Sequence, residues 1–150
     1  MSARSARSAR PKVPLVARTL LGLAFAVFGL NFFLHFLPEP APPSAEAGAF
    51  IGALVAGKIL AVIKPIEIAA GLALLGNRFV PLALALLAPI EIGILLFHGV
   101  FAPSGLPMVI VLVALTIYLA WAYRAAFAPM LRAHTEPTVA EDVAHRTLTA

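Results

Sequence analysis

The tetrapeptide Pro-Ile-Glu-Ile occurs twice, at residues 65–68 and 89–92, each time inside a long apolar run. Glu67 and Glu91 are therefore carboxylates set in segments otherwise suited to hydrocarbon. Such a group needs a proton, a cation or a polar cavity beside it, and is a functional candidate for that reason. Lys64 lies three residues before Glu67, a spacing that lets the two side chains meet on one helical face. At the rise of a helix, counting from Asn77, Lys64 lies about 20 Å deep, Glu67 about 15 Å and Glu91 about 21 Å. Lys64, Glu67 and Glu91 are thus expected to gather as one buried polar cluster. Two readings stay open: an ion pair that fixes helix packing, and a site that handles a proton, a quinone or a polar substrate. No catalytic residue follows from the sequence.

A second group of polar residues falls towards the other end of the same helices. His98 follows Glu91 by seven residues and shares its face, while His35 follows Asn31 by four. Asn31, His35 and His98 are expected to border, with Glu91, a small pocket open on the outer side. Hydrogen-bond donors in an apolar cleft suit a quinone head group. Two histidines also offer axial ligands for haem, but interfacial hydrogen bonding is their commoner role, so quinone ranks ahead of haem. The chain has no cysteine, which excludes thiolate metal sites, disulfides and thiol redox chemistry within it. No metal site is read from the spacing of the remaining ligand types.

The elements that must carry these residues are membrane helices. Of 150 residues, 61% are hydrophobic and 12% charged, with a mean hydropathy of +0.97. Soluble domains are about 45–50% apolar and about 25% charged. Continuous apolar runs exclude the alternating pattern of a β-barrel. The reading is an all-α, membrane-embedded up-down bundle of four helices, with spans at about 15–37, 49–75, 79–99 and 106–127. These make one domain over residues 14–130. A flexible basic tail, 1–13, precedes it and a flexible polar tail, 131–150, follows. Pro65 inside the second span is expected to kink it, and Gly76 to cap its end. Gly57, Lys64, Glu67 and Gly71 are expected to share one stripe of that span.

Charge placement gives the orientation. Arg4, Arg7, Arg10 and Lys12 precede the first span, and the loops after the first and third spans carry no Lys or Arg. Both termini are expected in the cytoplasm. Arg18, Arg78, Trp121, Tyr123 and Arg124 then serve as anchors at the inner interface. The net charge of +4 belongs to this pattern, and no nucleic acid is expected as a partner.

The ordered set of span sequences resembles the DoxX family. It is carried by Arg18-Thr-Leu-Leu-Gly22, Phe28-Gly29-Leu-Asn31-Phe-Phe, the stretch from Lys64 through Glu67 and Gly71 to Asn77-Arg78-Phe79, residues 89–98, and Tyr118-Leu-Ala-Trp121-Ala-Tyr123-Arg124. The resemblance implies a multi-pass protein of the bacterial inner membrane, with Lys64 and Glu67 as its most family-like polar site. It implies an accessory or quinone-interacting component of a membrane redox system, working with redox partner proteins or with further copies of itself in the bilayer. The alternative from a different class is a small permease or a non-catalytic structural or assembly subunit.

Overall fold

A computed structural model describes residues 12–38 and 41–135. The expected tails at 1–13 and 131–150 lie largely outside that range. The described residues form helices and no strand: α1 (Lys12–Leu34), α2 (Ala45–Ala56), α3 (Ile59–Leu75), α4 (Val80–Val100), α5 (Leu106–Ala122) and the short α6 (Arg124–Phe127). Two 3-10 turns, Pro103–Gly105 and Ala128–Leu131, flank α5 and α6.

Two of these helices, α1 and α4, and the segment Pro103–Ala122 are long and apolar enough to cross a membrane. A fourth crossing is present if α2 and α3 together make one bent span. Helix α1 packs on α3 and α5, α3 on α4, and α4 on α5. Leu21, Leu74, Leu84, Leu87 and Leu119, one or two from each of these four helices, are fully buried where they meet. The large apolar residues on the outside, such as Val62, Ile92, Leu96 and Ile117, suit contact with lipid rather than water.

The expected second span, 49–75, is two helices rather than one. α2 and α3 are bent by 83° at the break between them. The break falls at Gly57 and Lys58, upstream of Pro65, and the left-handed backbone of Lys58 (φ 57°) turns the chain. Helix α3 runs through Pro65, so the proline does not provide the bend. Gly57 caps the end of α2 and so leaves the stripe that it was expected to share with Lys64. The turn after α3 also differs in detail. Gly76 keeps a right-handed conformation, and Asn77 (φ 54°) and Phe79 (φ 52°) take the left-handed ones. Asn is the side chain other than Gly that most readily accepts this conformation.

Candidate functional site

The position of α3 is set by glycines. A Cβ on Gly71 would stand 2.7 Å from the backbone nitrogen of Ala26 and 2.8 Å from the carbonyl oxygen of Gly22. A Cβ on Gly29 would stand 2.7 Å from Ile68 Cγ1 and 3.4 Å from the carbonyl oxygen of Lys64. Helices α1 and α3 therefore meet backbone to backbone, the close approach that small residues allow in membranes. That contact uses the Gly71 face of α3. Lys64 and Glu67 lie within about 40° of Gly71 around α3, on the same stripe, and their side chains reach the cavity that α3 shares with α4.

Lys64 Nζ donates to Glu67 Oε2 at 2.8 Å, the one ion pair among the described residues. Glu67 is buried, while Lys64 keeps 19% of its side chain exposed. The pair borders a cavity of about 570 Å³ between α2, α3 and α4. Apart from Lys64, Glu67 and His98, its lining is apolar, with Phe50, Leu54, Ile63, Ile90, Gly93 and Phe97 prominent. His98 Nδ1 lies 2.9 Å from the carbonyl oxygen of Ile94. That oxygen can only accept, so Nδ1 carries the hydrogen and a neutral ring offers Nε2 as an acceptor. The imidazole also meets the Phe97 ring edge-on at 5.2 Å. On its other side it rests on Gly105, where any Cβ would overlap it.

Glu91 does not join Lys64 and Glu67. Its Oε1 accepts a 2.7 Å hydrogen bond from Thr116 Oγ1 of α5. Helix rotation explains the difference. Pro89, Ile90, Gly93, Ile94 and Phe97 turn one side of α4 to the cavity. Glu91 instead continues the buried row of Leu84 and Leu87. Depth along a helix alone does not fix which neighbour a side chain faces. Thr116 is the residue that sequence reasoning missed. It is the sole Ser, Thr, Asn or Gln in α5, and that isolation was the available signal.

The expected pocket bordered by Asn31, His35, Glu91 and His98 is also redrawn, since only His98 lines the cavity. Asn31 has a different task. Its Oδ1 accepts from the Leu37 N–H at 2.6 Å, and its carbonyl accepts from the His35 N–H at 2.8 Å. Asn31 thus closes the C-terminal end of α1. His35 takes a left-handed conformation (φ 50°) just beyond that end and is exposed.

The five expected anchors collect at one end of the helices, but not all on the surface. Arg18 is buried, its Nη1 donates to Asn77 Oδ1, and its Nε has no partner among the described residues. Tyr123 Oη lies 3.5 Å from the same Asn77 oxygen. Asn77 thus links α1, the α3–α4 turn and the end of α5. Arg124 sits over the Trp121 ring at 4.8 Å and donates to the Trp121 carbonyl at 3.1 Å. Arg78 is exposed.

Comparison with known proteins gives no family model, no curated relative and no solved structure that matches this chain.

Proposed function

We propose that this chain is a DoxX-like inner-membrane protein that binds a quinone-type molecule and serves as an accessory component of a membrane redox system. The observation that carries this reading is the cavity of about 570 Å³, apolar except for Lys64, Glu67 and His98. Its size falls within the range of about 300–1,000 Å³ usual for small-molecule sites. A quinone ring has acceptor oxygens for the Lys64 ammonium and an apolar tail for the Phe- and Ile-lined wall. Redox partners in the bilayer, or further copies of the chain, would supply the electrons. One observation favours the alternative of a structural or assembly subunit: Lys64 and Glu67 already satisfy each other at 2.8 Å.

Titration of decylubiquinone against the purified protein separates the two. At a ligand concentration of 100 Kd, binding to the native state is expected to stabilise it by about 2.7 kcal/mol. His98→Ala is expected to reduce the shift in thermal midpoint. Gly93→Leu is expected to reduce it further, because Gly93 lines the cavity and a Cβ there meets nothing within 4 Å. No shift in the native protein at saturation removes the quinone proposal. Equal shifts in all three proteins remove this cavity as the site.

The membrane arrangement proposed is a four-span bundle of α1, α3, α4 and α5 with both termini cytoplasmic. It is supported by the packing of neighbours around the ring and by the gathering of Arg18, Arg78 and Arg124 at one end. A C-terminal alkaline-phosphatase fusion is expected to be inactive in a bacterial host and a C-terminal fluorescent-protein fusion bright. The reverse pattern rejects the orientation.

A further inference from the structure

A bent pair of helices can be one broken span, or a span preceded by a helix that does not cross. We propose that α2 is the second kind. It lies in the plane of the membrane, embedded at the hydrocarbon–headgroup boundary on the face opposite Arg18, and it roofs the cavity between α3 and α4.

Helix α2 has 12 residues, a length of about 18 Å. At 83° to α3 it advances only about 2 Å along the α3 axis. It therefore adds almost nothing to a crossing. None is needed, since the 17 residues of α3 reach about 26 Å, at the short end of the range for a transmembrane helix. The elbow is a finished turn rather than a frayed end. Gly57 N–H donates to the Ala53 carbonyl and Lys58 N–H to the Val55 carbonyl, both at 2.9 Å.

The placement of charge agrees. Glu46 in the first turn of α2 and Lys58 at the elbow are both exposed, and the residues between them carry no charge. If α2 were the outer half of a span, Lys58 would lie deep in the bilayer and face lipid, where a cation is strongly disfavoured. With α2 in the plane, Glu46 and Lys58 both reach the polar boundary, and Lys58 extends its amine into it. Val55 is exposed on the same helix, outside the cavity lining, and can enter the hydrocarbon edge.

The attachments of α2 place it along one face. It leaves the start of α3 at the elbow. Phe50 stacks on Phe97 at 5.8 Å and on Phe101 at 5.4 Å, at the far end of α4. The start of α3 and the end of α4 are at the same membrane surface if both helices cross. A helix joining them runs along that surface. Phe50, Ile51 and Leu54 also line the cavity, so α2 closes it towards water. This inference does not depend on which ligand the cavity holds.

The chain has no cysteine, so single cysteines at Ala49, Gly52, Ala53 and Ala56, all exposed, can each carry a spin label. In vesicles of phosphatidylcholine and phosphatidylglycerol, collision rates with oxygen and with a water-soluble nickel chelate report depth. An in-plane helix is expected to give depths that vary around each turn with no trend from 49 to 56. A half-span instead deepens steadily, by about 10 Å over that stretch, and such a gradient overturns the proposal. Solid-state NMR of the unsubstituted, nitrogen-15-labelled chain in oriented bilayers gives a second reading. The α2 amide signals are expected at the perpendicular orientation and those of α3 and α4 at the parallel one. Parallel α2 signals overturn the in-plane helix alone. Perpendicular α3 signals overturn it together with the four-span arrangement.

Discussion

Glu67→Ala is expected to destabilise the protein by about 3–5 kcal/mol, the usual cost of stripping one partner from a buried ion pair. Glu67 is almost wholly buried and its Oε2 receives the Lys64 ammonium at 2.8 Å. Removing the carboxylate strands a cation beside an apolar wall of Ile63, Ile90 and Ile94. Adding Lys64→Met removes that stranded charge and is expected to recover much of the loss, since well-packed apolar groups often replace a buried pair at little cost. Lys64→Met alone leaves a buried carboxylate and belongs with the severe variants. The measurement is the thermal midpoint in detergent micelles, followed by circular dichroism, for the native chain, both single variants and the double. If the double variant melts no higher than Glu67→Ala, the pair does not couple the two residues. If Glu67→Ala melts with the native chain, the carboxylate is not held in a desolvated place.

Different physical information decided different parts of this structure. The apolar runs around α1, α4 and α5 are long and carry few charges, and hydropathy alone marks them as helices of spanning length. The Lys64–Glu67 contact was legible because a spacing of three residues on one helix leaves little freedom. The break at Lys58 was not legible. Gly57 is compatible with a helix interior, and nothing in the side chain of Lys58 announces a left-handed backbone. Pro65 is the more conspicuous helix breaker in the sequence, yet a helix can continue through a proline when the lost hydrogen bond is tolerated. Glu91 and Asn31 show a second limit. Both were correctly placed in or near apolar helices, but their partners depend on rotation about the helix axis. Glu91 meets Thr116 because α5 covers that side of α4. Asn31 meets the Leu37 N–H because the chain folds back at the end of α1. Arg18 read as a surface anchor from its sequence position, yet it is buried and its guanidinium donates to Asn77 of the α3–α4 turn.

Gly71→Ala is expected to destabilise the protein by about 1–3 kcal/mol, as overpacking of a tight contact does. Its new methyl would stand 2.7 Å from Ala26 N, 2.8 Å from Gly22 O and 3.1 Å from Ala26 Cα. All three are backbone atoms, so no side-chain rotation relieves the clash, and α1 must move away from α3. Gly71→Val is expected to do more harm, because its two further methyls enter the same gap. Gly93→Ala is the matched control. A Cβ there meets nothing within 4 Å, and helix propensity alone favours Ala over Gly by about 0.5–1 kcal/mol. The clash also reaches the site. Gly29 packs on Ile68 and on the carbonyl of Lys64, so a displaced α1 releases the segment of α3 that carries Lys64 and Glu67. Gly71→Ala is therefore expected to lower both the thermal midpoint and the shift produced by decylubiquinone, while Gly93→Ala leaves the midpoint at or above that of the native chain. Equal midpoints for the two variants would mean that α1 and α3 do not meet backbone to backbone. A lowered midpoint with an unchanged ligand shift would mean that the contact holds the fold together without setting the cavity.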